Sequence, residues 1–347
     1  MTYTRYMDVH TGISLKNYTT MKLGGSARFM TSATTPDDVI NIYNHAKQHD
    51  LPIFVLGGGS NILVRDEGFN GIVVLNRIKG FEVIEDTASS VVVKVGSGEI
   101  WDEIVEKTVE MGLSGIEALS AIPGTAGAAP VQNIGAYGQE VADVLVSLEA
   151  YDRQTDQIVT LDALQCNFAY RNSIFRDKEI NRYCIVSITM KLYRQSPQPP
   201  FYAALQKYLD NNNISIYTVE IIRDAVMAIR SDKLPDPAER PNTGSFFKNA
   251  VIENWQYEDL AKRFPDMPSY DMPGNTHKIP TGWLIEQAGL KGELLHGIRV
   301  HDKNALVLVN ESAESYGDLA QAREEIIQRV YDMFHIQISQ EPLEMVL

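Results

Sequence analysis

Pro52-Ile-Phe-Val-Leu-Gly-Gly-Gly-Ser-Asn-Ile-Leu-Val64 is the stretch from which the architecture of this chain follows. A short apolar run enters three glycines and a Ser-Asn pair, then apolar residues resume. Such a run bounded by breakers predicts a buried strand and a tight turn. Glycine lacks a Cβ, so this backbone can take positive φ and approach a ligand closely. Successive N–H groups in such a turn form a nest suited to a phosphate. By itself the triplet is equally a plain turn. A second segment tips the balance: Ile122-Pro-Gly-Thr-Ala-Gly-Ala-Ala-Pro-Val-Gln-Asn-Ile-Gly-Ala-Tyr-Gly138. It carries too little apolar surface for a core element and is too long for an ordinary turn. Backbone running along a large flat ligand accounts for it better. Two such segments predict a bound dinucleotide. Neither fits Gly-x-Gly-x-x-Gly at a helix start, so a Rossmann nicotinamide fold is not expected.

The 347 residues suffice for two or three domains, and 44% hydrophobic with 22% charged residues is an ordinary globular composition. A net charge of −14 leaves no basic surplus for nucleic acid. The two cysteines, Cys166 and Cys184, have no metal-ligand spacing, so neither a disulfide scaffold nor a metal site is expected. Met1–His10 has no apolar leader and no run is long enough to span a membrane, which predicts a cytoplasmic protein.

Thr35-Pro36-Asp37-Asp38 predicts a helix start, with Val39, Ile40, Tyr43 and Ala46 on its apolar face. Strands are expected at Leu51–Leu56, Gly71–Leu75, Phe81–Ile84 and Val91–Val95, the last three paired antiparallel because they follow closely. A helix over Ile100–Glu110 and strands at Val144–Tyr151, Gln157–Leu161 and Cys184–Leu192 come next. Arg194-Gln-Ser-Pro-Gln-Pro-Pro200 is the best linker signal. Beyond it lie a helix capped by Thr218, a strand at Asn304–Asn310, an amphipathic helix over Ser315–Phe334 and a last strand at Ile336–Gln340. The expected units are residues 1–75, 76–195 and 215–347.

Pro241-Asn-Thr-Gly-Ser-Phe-Phe-Lys-Asn249 is turn chemistry followed by Ser245 between the turn and two phenylalanines. No histidine or Gly-x-Ser-x-Gly elbow accompanies it, so proton donation suits Ser245 better than covalent attack. Tyr170 and Arg171 fall in one polar loop, and Arg suits bidentate grip on a carboxylate. Arg230 and Lys233 end a helix and can simply complement its dipole.

Taken together, the ordered motifs resemble the UDP-N-acetylenolpyruvoylglucosamine reductase family from about Thr19 to the C-terminus. They are the two glycine segments, Cys-Asn-Phe-Ala-Tyr-Arg-Asn-Ser at 166–173, Lys-Leu-Pro-Asp-Pro at 233–237, Gly-Ser-Phe-Phe-Lys-Asn at 244–249 and Gly-Trp-Leu-Ile-Glu-Gln at 282–287. The resemblance implies an α+β chain: a two-lobed FAD domain of the vanillyl-alcohol-oxidase type and a C-terminal substrate domain. It implies FAD pyrophosphate on Gly57, Gly58, Gly59, Ser60 and Asn61, with Ile122, Pro123, Gly124, Ala128 and Gly135 along the flavin. It further implies NADPH as reductant and UDP-N-acetylglucosamine enolpyruvate as acceptor, in peptidoglycan precursor synthesis, with no nucleic-acid or membrane partner and a monomeric chain. By motif match Arg171 stabilises charge, Ser245 donates a proton, and Tyr137, Tyr170, Tyr202, Lys233, Asn249, Lys278 and Gln287 contact substrate. Tyr202 matches the tyrosine that closes over the nucleotide in the longer subgroup.

The tail Ile338-Ser-Gln-Glu-Pro-Leu-Glu-Met-Val-Leu347 departs from the family's Glu-Val-x-x-Ile-Gly. Ungapped alignment selects Glu341 as the catalytic carboxylate, with Glu344 as the alternative. Two other functions stay open at this point: an FAD oxidoreductase of the same superfamily with another substrate, and a non-catalytic protein that binds sugar nucleotides.

Overall fold

The structure, a computed structural model, describes residues 8–346. The expectation for the amino-terminal leader, and the outer limits of the first and third expected units, fall partly on residues outside that range.

The first lobe contains β1 (His10–Ser14), β2 (Ser26–Ala33), α1 (Pro36–Gln48), β3 (Ile53–Leu56), β4 (Ile62–Val64) and β5 (Phe69–Asn76). Helix α1 starts where the sequence predicts, because Thr35 and Asp38 cap each other: Asp38 N donates to Thr35 Oγ1 at 3.1 Å and Thr35 N to Asp38 Oδ2 at 3.0 Å. Its buried face is Val39, Ile42, Tyr43 and Ala46; Ile40 is only half-buried. The sheet order is β1-β2-β5-β3, with β5 parallel to both β2 and β3.

That arrangement corrects one expectation. The Gly71–Leu75 strand does not pair with its sequence neighbours. After Asn76 the chain crosses into a second lobe, made of β6 (Phe81–Asp86), β7 (Ser90–Gly96), α2 (Trp101–Glu110), a small β8–β9 hairpin (Gly135–Ala136, Gln139–Glu140), β10 (Leu145–Asp152), β11 (Gln157–Asp162) and β12 (Tyr183–Tyr193). Its sheet, β11-β10-β12-β7-β6, is antiparallel throughout. The crossing is fixed by buried Asn76, whose Nδ2 donates to Ile185 O at 2.8 Å and whose Oδ1 accepts from Ser97 Oγ at 2.7 Å. One apolar cluster, including Val39, Ile42, Ile72, Val74, Tyr151 and Val186, joins α1 and the first sheet to the second.

Past the proline-rich stretch come α3 (Ala203–Asn211), which the sequence reading missed, and α4 (Val219–Lys233), capped by Thr218 as expected. A four-stranded antiparallel sheet follows from β13 (Asn242–Ser245), β17 (Leu294–Leu295), β18 (Ile298–Val300) and β19 (Val307–Asn310), in the order β13-β19-β18-β17. Between β13 and β17 lie β14 (Ala250–Glu253), α5 (Asn254–Arg263), β15 (Tyr270–Met272), β16 (Thr276–Ile279) and α6 (Thr281–Gln287). Helix α7 (Tyr316–Phe334) packs Leu319, Ile326, Val330 and Phe334 into this unit's core.

The tail gives a second correction. The last strand is not at Ile336–Gln340 but at β20 (Leu343–Met345), which runs parallel to β4 of the first lobe. Met345 is buried in the first lobe's core, and that burial draws the tail away from its own unit. Glu344 fastens it, accepting from Arg65 Nη2 at 2.6 Å, Tyr316 Oη at 2.5 Å and Arg323 Nη1 at 2.9 Å.

Burial alone would push the Glu344 carboxyl up, but the hydrogen bonds from Tyr316, Arg65 and Arg323 outweigh it and hold it at about 2. A depressed carboxylate stabilises the fold above its unfolded value and loses that contribution as pH falls through the folded one. Glu344→Gln is therefore expected to lower the melting temperature at pH 7. The gap from the parent should close between pH 4.5 and about 2. A gap that does not change with pH, in melting curves across that range, would show that the ionised carboxylate contributes nothing.

Candidate active site

The two glycine segments, far apart in sequence, touch. A Cβ on Gly57 would lie 2.5 Å from Thr125 Oγ1, and one on Gly58 2.9 Å from the Gly124 Cα. Ser60 Oγ donates to Pro123 O at 3.0 Å, and Asn61 Nδ2 donates to Gln132 Oε1. Much of the glycine requirement is thus loop against loop, which the sequence reading had assigned to ligand approach. Arg77 steadies the turn by donating to Gly57 O at 3.1 Å. Among the described residues, none of the N–H groups from Gly57 to Asn61 donates to a backbone carbonyl. Free donors on a concave turn are what an anionic pyrophosphate requires.

Both segments line one cleft between the lobes. Its walls include Gly57, Gly58, Gly59, Ser60, Asn61, Ile122, Pro123, Gly124 and Ala128, backed by Ile53, Val55, Trp101 and Ile185. Leu343 and Glu344 of the returning tail close one side. A long apolar cleft with a strip of unpaired backbone donors fits FAD, with its flat ring system and its diphosphate. Gly135 is placed differently. It is not a cleft wall, and its carbonyl accepts from Arg171 Nη2 at 2.7 Å.

Arg171 sits at φ +52°, a left-handed backbone that non-glycine residues rarely adopt. Its Nε lies 3.2 Å from Glu341 Oε1, an ion pair rather than an aligned hydrogen bond, since that N–H finds no acceptor. Glu341 is buried, and its peptide N–H donates to Phe246 O at 2.8 Å. The strand carrying Ser245 therefore runs beside the segment carrying Glu341. Phe246 and Phe247 are core residues, and Ser245 is half-buried at the end of β13. Burial raises the Glu341 carboxyl, partly offset by Arg171, Arg176 and Lys248. Of the two carboxylates left open by the sequence, Glu341 is the one beside Arg171, whereas Glu344 is occupied in fastening the tail.

The sequence reading missed Arg176. It donates to Gln132 Oε1 at 2.9 Å and to the Glu341 carbonyl, tying the glutamate to the cleft wall. Lys248, within the matched Gly-Ser-Phe-Phe-Lys motif, was equally legible and equally overlooked.

Around this pair the fold gathers other expected contacts. Tyr137 and Tyr202 pack edge to face with centroids 6.1 Å apart. Lys278 Nζ stands 5.3 Å from the Tyr170 ring centroid and 5.4 Å from that of Tyr270, and the Arg171 guanidinium is 5.4 Å from the Tyr170 ring. Asn249 Oδ1 accepts from Thr281 N at 3.1 Å at the start of α6. Lys233 and Gln287 are exposed at the ends of α4 and α6 and make no side-chain hydrogen bond or ion pair among the described residues.

Two family models match the sequence. An FAD binding domain matches residues 27–162, and the C-terminal domain of UDP-N-acetylenolpyruvoylglucosamine reductase matches 236–345. The reductase of that name from Ralstonia nicotianae is 40% identical over 333 residues, covering 95% of this chain and 97% of its own. The one from Shewanella baltica is 41% identical over 329 residues, covering 95% of each. The chain belongs to the UDP-N-acetylenolpyruvoylglucosamine reductase family. It is an FAD-dependent oxidoreductase with the expected α+β fold class. The crystal structure of the Thermus caldophilus reductase aligns over 98% of this chain and 99% of its own with a TM-score of 0.68; at 22% identity this likeness concerns the fold. Among the described residues, no helix is long and apolar enough to cross a membrane, and no three His, Cys, Asp or Glu side chains are grouped to hold a metal.

Proposed function

We propose that this protein reduces UDP-N-acetylglucosamine enolpyruvate to UDP-N-acetylmuramate with NADPH as reductant, in peptidoglycan precursor synthesis, as a cytoplasmic monomer. The observation that carries the reading is the Arg171–Glu341 pair, 3.2 Å apart beside the Ser245 strand and tied by Arg176 to the cleft wall. FAD, held by Gly57–Asn61 and the Ile122–Ala128 wall, would supply the hydride-transfer chemistry that links NADPH to the β-carbon of the enol ether.

As the carbon–carbon π bond breaks, its electron pair moves to the α-carbon and into the adjoining carboxylate. Arg171, fixed by the Gly135 carbonyl, faces that growing charge. Glu341, whose carboxyl burial pushes up while Arg171, Arg176 and Lys248 hold it down, sits against Arg171 and keeps the guanidinium aimed at that group. The Ser245 hydroxyl gives its proton to the α-carbon and recovers one from solvent. Tyr202 closes over the nucleotide, Lys233 and Lys278 meet the diphosphate, and Tyr137, Tyr170, Asn249 and Gln287 are further substrate contacts.

The test is an anaerobic absorbance measurement. Flavin in the holoenzyme is reduced with NADPH, the enolpyruvyl nucleotide is added, and the oxidised band is followed. Rapid return of the band with formation of UDP-N-acetylmuramate is expected. A flavin that reduces but ignores this acceptor would leave the family standing and remove the substrate assignment.

A further inference from the structure

His277, beside Lys278 on β16, has an oxygen against each of its ring nitrogens. Nε2 lies 2.8 Å from Asn254 Oδ1 of α5. Nδ1, shut off from solvent, lies 3.2 Å from Asp271 Oδ1 of β15, without the alignment of a hydrogen bond. The Asn254 amide is fixed in that sense, because its Nδ2 already donates to Glu258 Oε1 at 2.8 Å. A neutral imidazole carries one N–H and one lone pair. With the proton on Nε2, the Nδ1 lone pair faces a carboxylate. With the proton on Nδ1, the Nε2 lone pair faces an amide oxygen. Only a ring protonated on both nitrogens sets a proton against each oxygen. The remaining neighbours supply no other donor: Tyr257 of α5 stacks on the ring face with centroids 4.1 Å apart, and Ile252 of β14 is the cross-strand partner on the far side. Lys278, next along the strand, points to the opposite face.

We propose that His277 is a positioning residue: held as an imidazolium between Asn254 and Asp271, it fastens the β15–β16 hairpin to α5 and so fixes where Lys278 meets the substrate diphosphate. This rests on the function proposed above. Strand β15 has three residues and pairs with β16 alone, Asp271 opposite His277 and Tyr270 opposite Lys278. The fastened pair is thus the register neighbour of the pair that carries the cation, whose Nζ stands 5.4 Å from the Tyr270 ring. A short edge strand held by few backbone bonds opens easily, and an opposite-charge cross-strand pair opposes that. Loss of the second proton turns attraction at Asp271 into repulsion and frees β15. Raising the pH therefore loosens the grip on the diphosphate, and lowering it restores the grip.

The experiment titrates UDP-N-acetylglucosamine calorimetrically into the holoenzymes of the parent, Asp271→Asn and His277→Phe, across about pH 5 to 8, where histidine changes charge. The diphosphate of this ligand is a diester and keeps its charge over that range, so a slope reports the protein. The parent is expected to lose about 3- to 10-fold in affinity from the acid to the alkaline end, the worth of one such hydrogen-bonded contact. Asp271→Asn sets an amide N–H against Nδ1, which satisfies the neutral ring, so its slope should vanish. His277→Phe keeps the stack on Tyr257 and should bind weakly at every pH, again without a slope. Nitrogen-15 NMR of the rings should show both nitrogens of His277 protonated in the parent where Asp271→Asn shows one. A parent slope that survives in either variant, or a neutral His277 ring in the parent at the acid end, would overturn the proposal. If His277→Phe does not fold, Asp271→Asn, at an exposed carboxylate, carries the comparison. No binding by the parent at any pH would overturn the function proposed above and this inference with it, a failure distinct from a loss confined to the variants.

Discussion

Ser245→Ala is expected to leave reduction of the flavin by NADPH intact and to slow its reoxidation by the enolpyruvyl nucleotide by roughly 10²–10⁴-fold, the usual contribution of a positioned proton donor. The serine ends β13, whose Ser245 is in register with Val307, and the next two residues are locked into the core. Removing one oxygen there leaves the strand and the Phe246–Glu341 backbone bond in place. The loss should therefore fall on one half-reaction. Hydride leaves the flavin productively only if the carbanion it creates is quenched, so reduced flavin should accumulate during turnover. Stopped-flow absorbance separates the two halves. Normal product formation would take Ser245 out of the mechanism.

The second large effect is expected from Gly59→Ala, and it is a loss of cofactor and stability together. Gly59 has φ +65°, and a Cβ there would stand 1.9 Å from the Tyr18 carbonyl oxygen. The left-handed backbone alone costs alanine about 1–2 kcal/mol. The overlap with backbone is worse, because Tyr18 cannot retreat freely: Thr20 N donates to Gly59 O at 3.1 Å and links the two segments. The turn has to open, and its free N–H groups swing out of the concave array. Purified Gly59→Ala should show little absorbance at the flavin band and a melting temperature several degrees lower, for a total of roughly 3 kcal/mol or more. Gly274→Ala is the control, since Gly274 also has positive φ (+82°) but its Cβ would meet nothing within 4 Å. It should lose only the backbone contribution and keep its flavin. Full flavin content in Gly59→Ala would mean that the turn is not the pyrophosphate site.

The sequence by itself determined whatever is settled within a few residues. Thr35, Thr218 and Ser315 each cap a helix through a partner three residues on, so those starts were legible. The glycine segments announced themselves because no packed element tolerates so little side chain, and the ordered motifs carried the family. Pairing was a different matter. The Gly71–Leu75 strand looks like the first of three neighbours, yet it lies between β2 and β3, because burial of its two faces favours that sheet over the shorter connection. The last strand moved to Leu343–Met345 for the same reason: a pocket for Met345 exists only once the first lobe has folded. Charge was least legible of all. Glu341 meets Arg171 from the far end of the chain. Caps and turns are decided by local hydrogen bonds; strand neighbours and counter-ions depend on which distant surfaces burial brings together, and only the tertiary structure decides that.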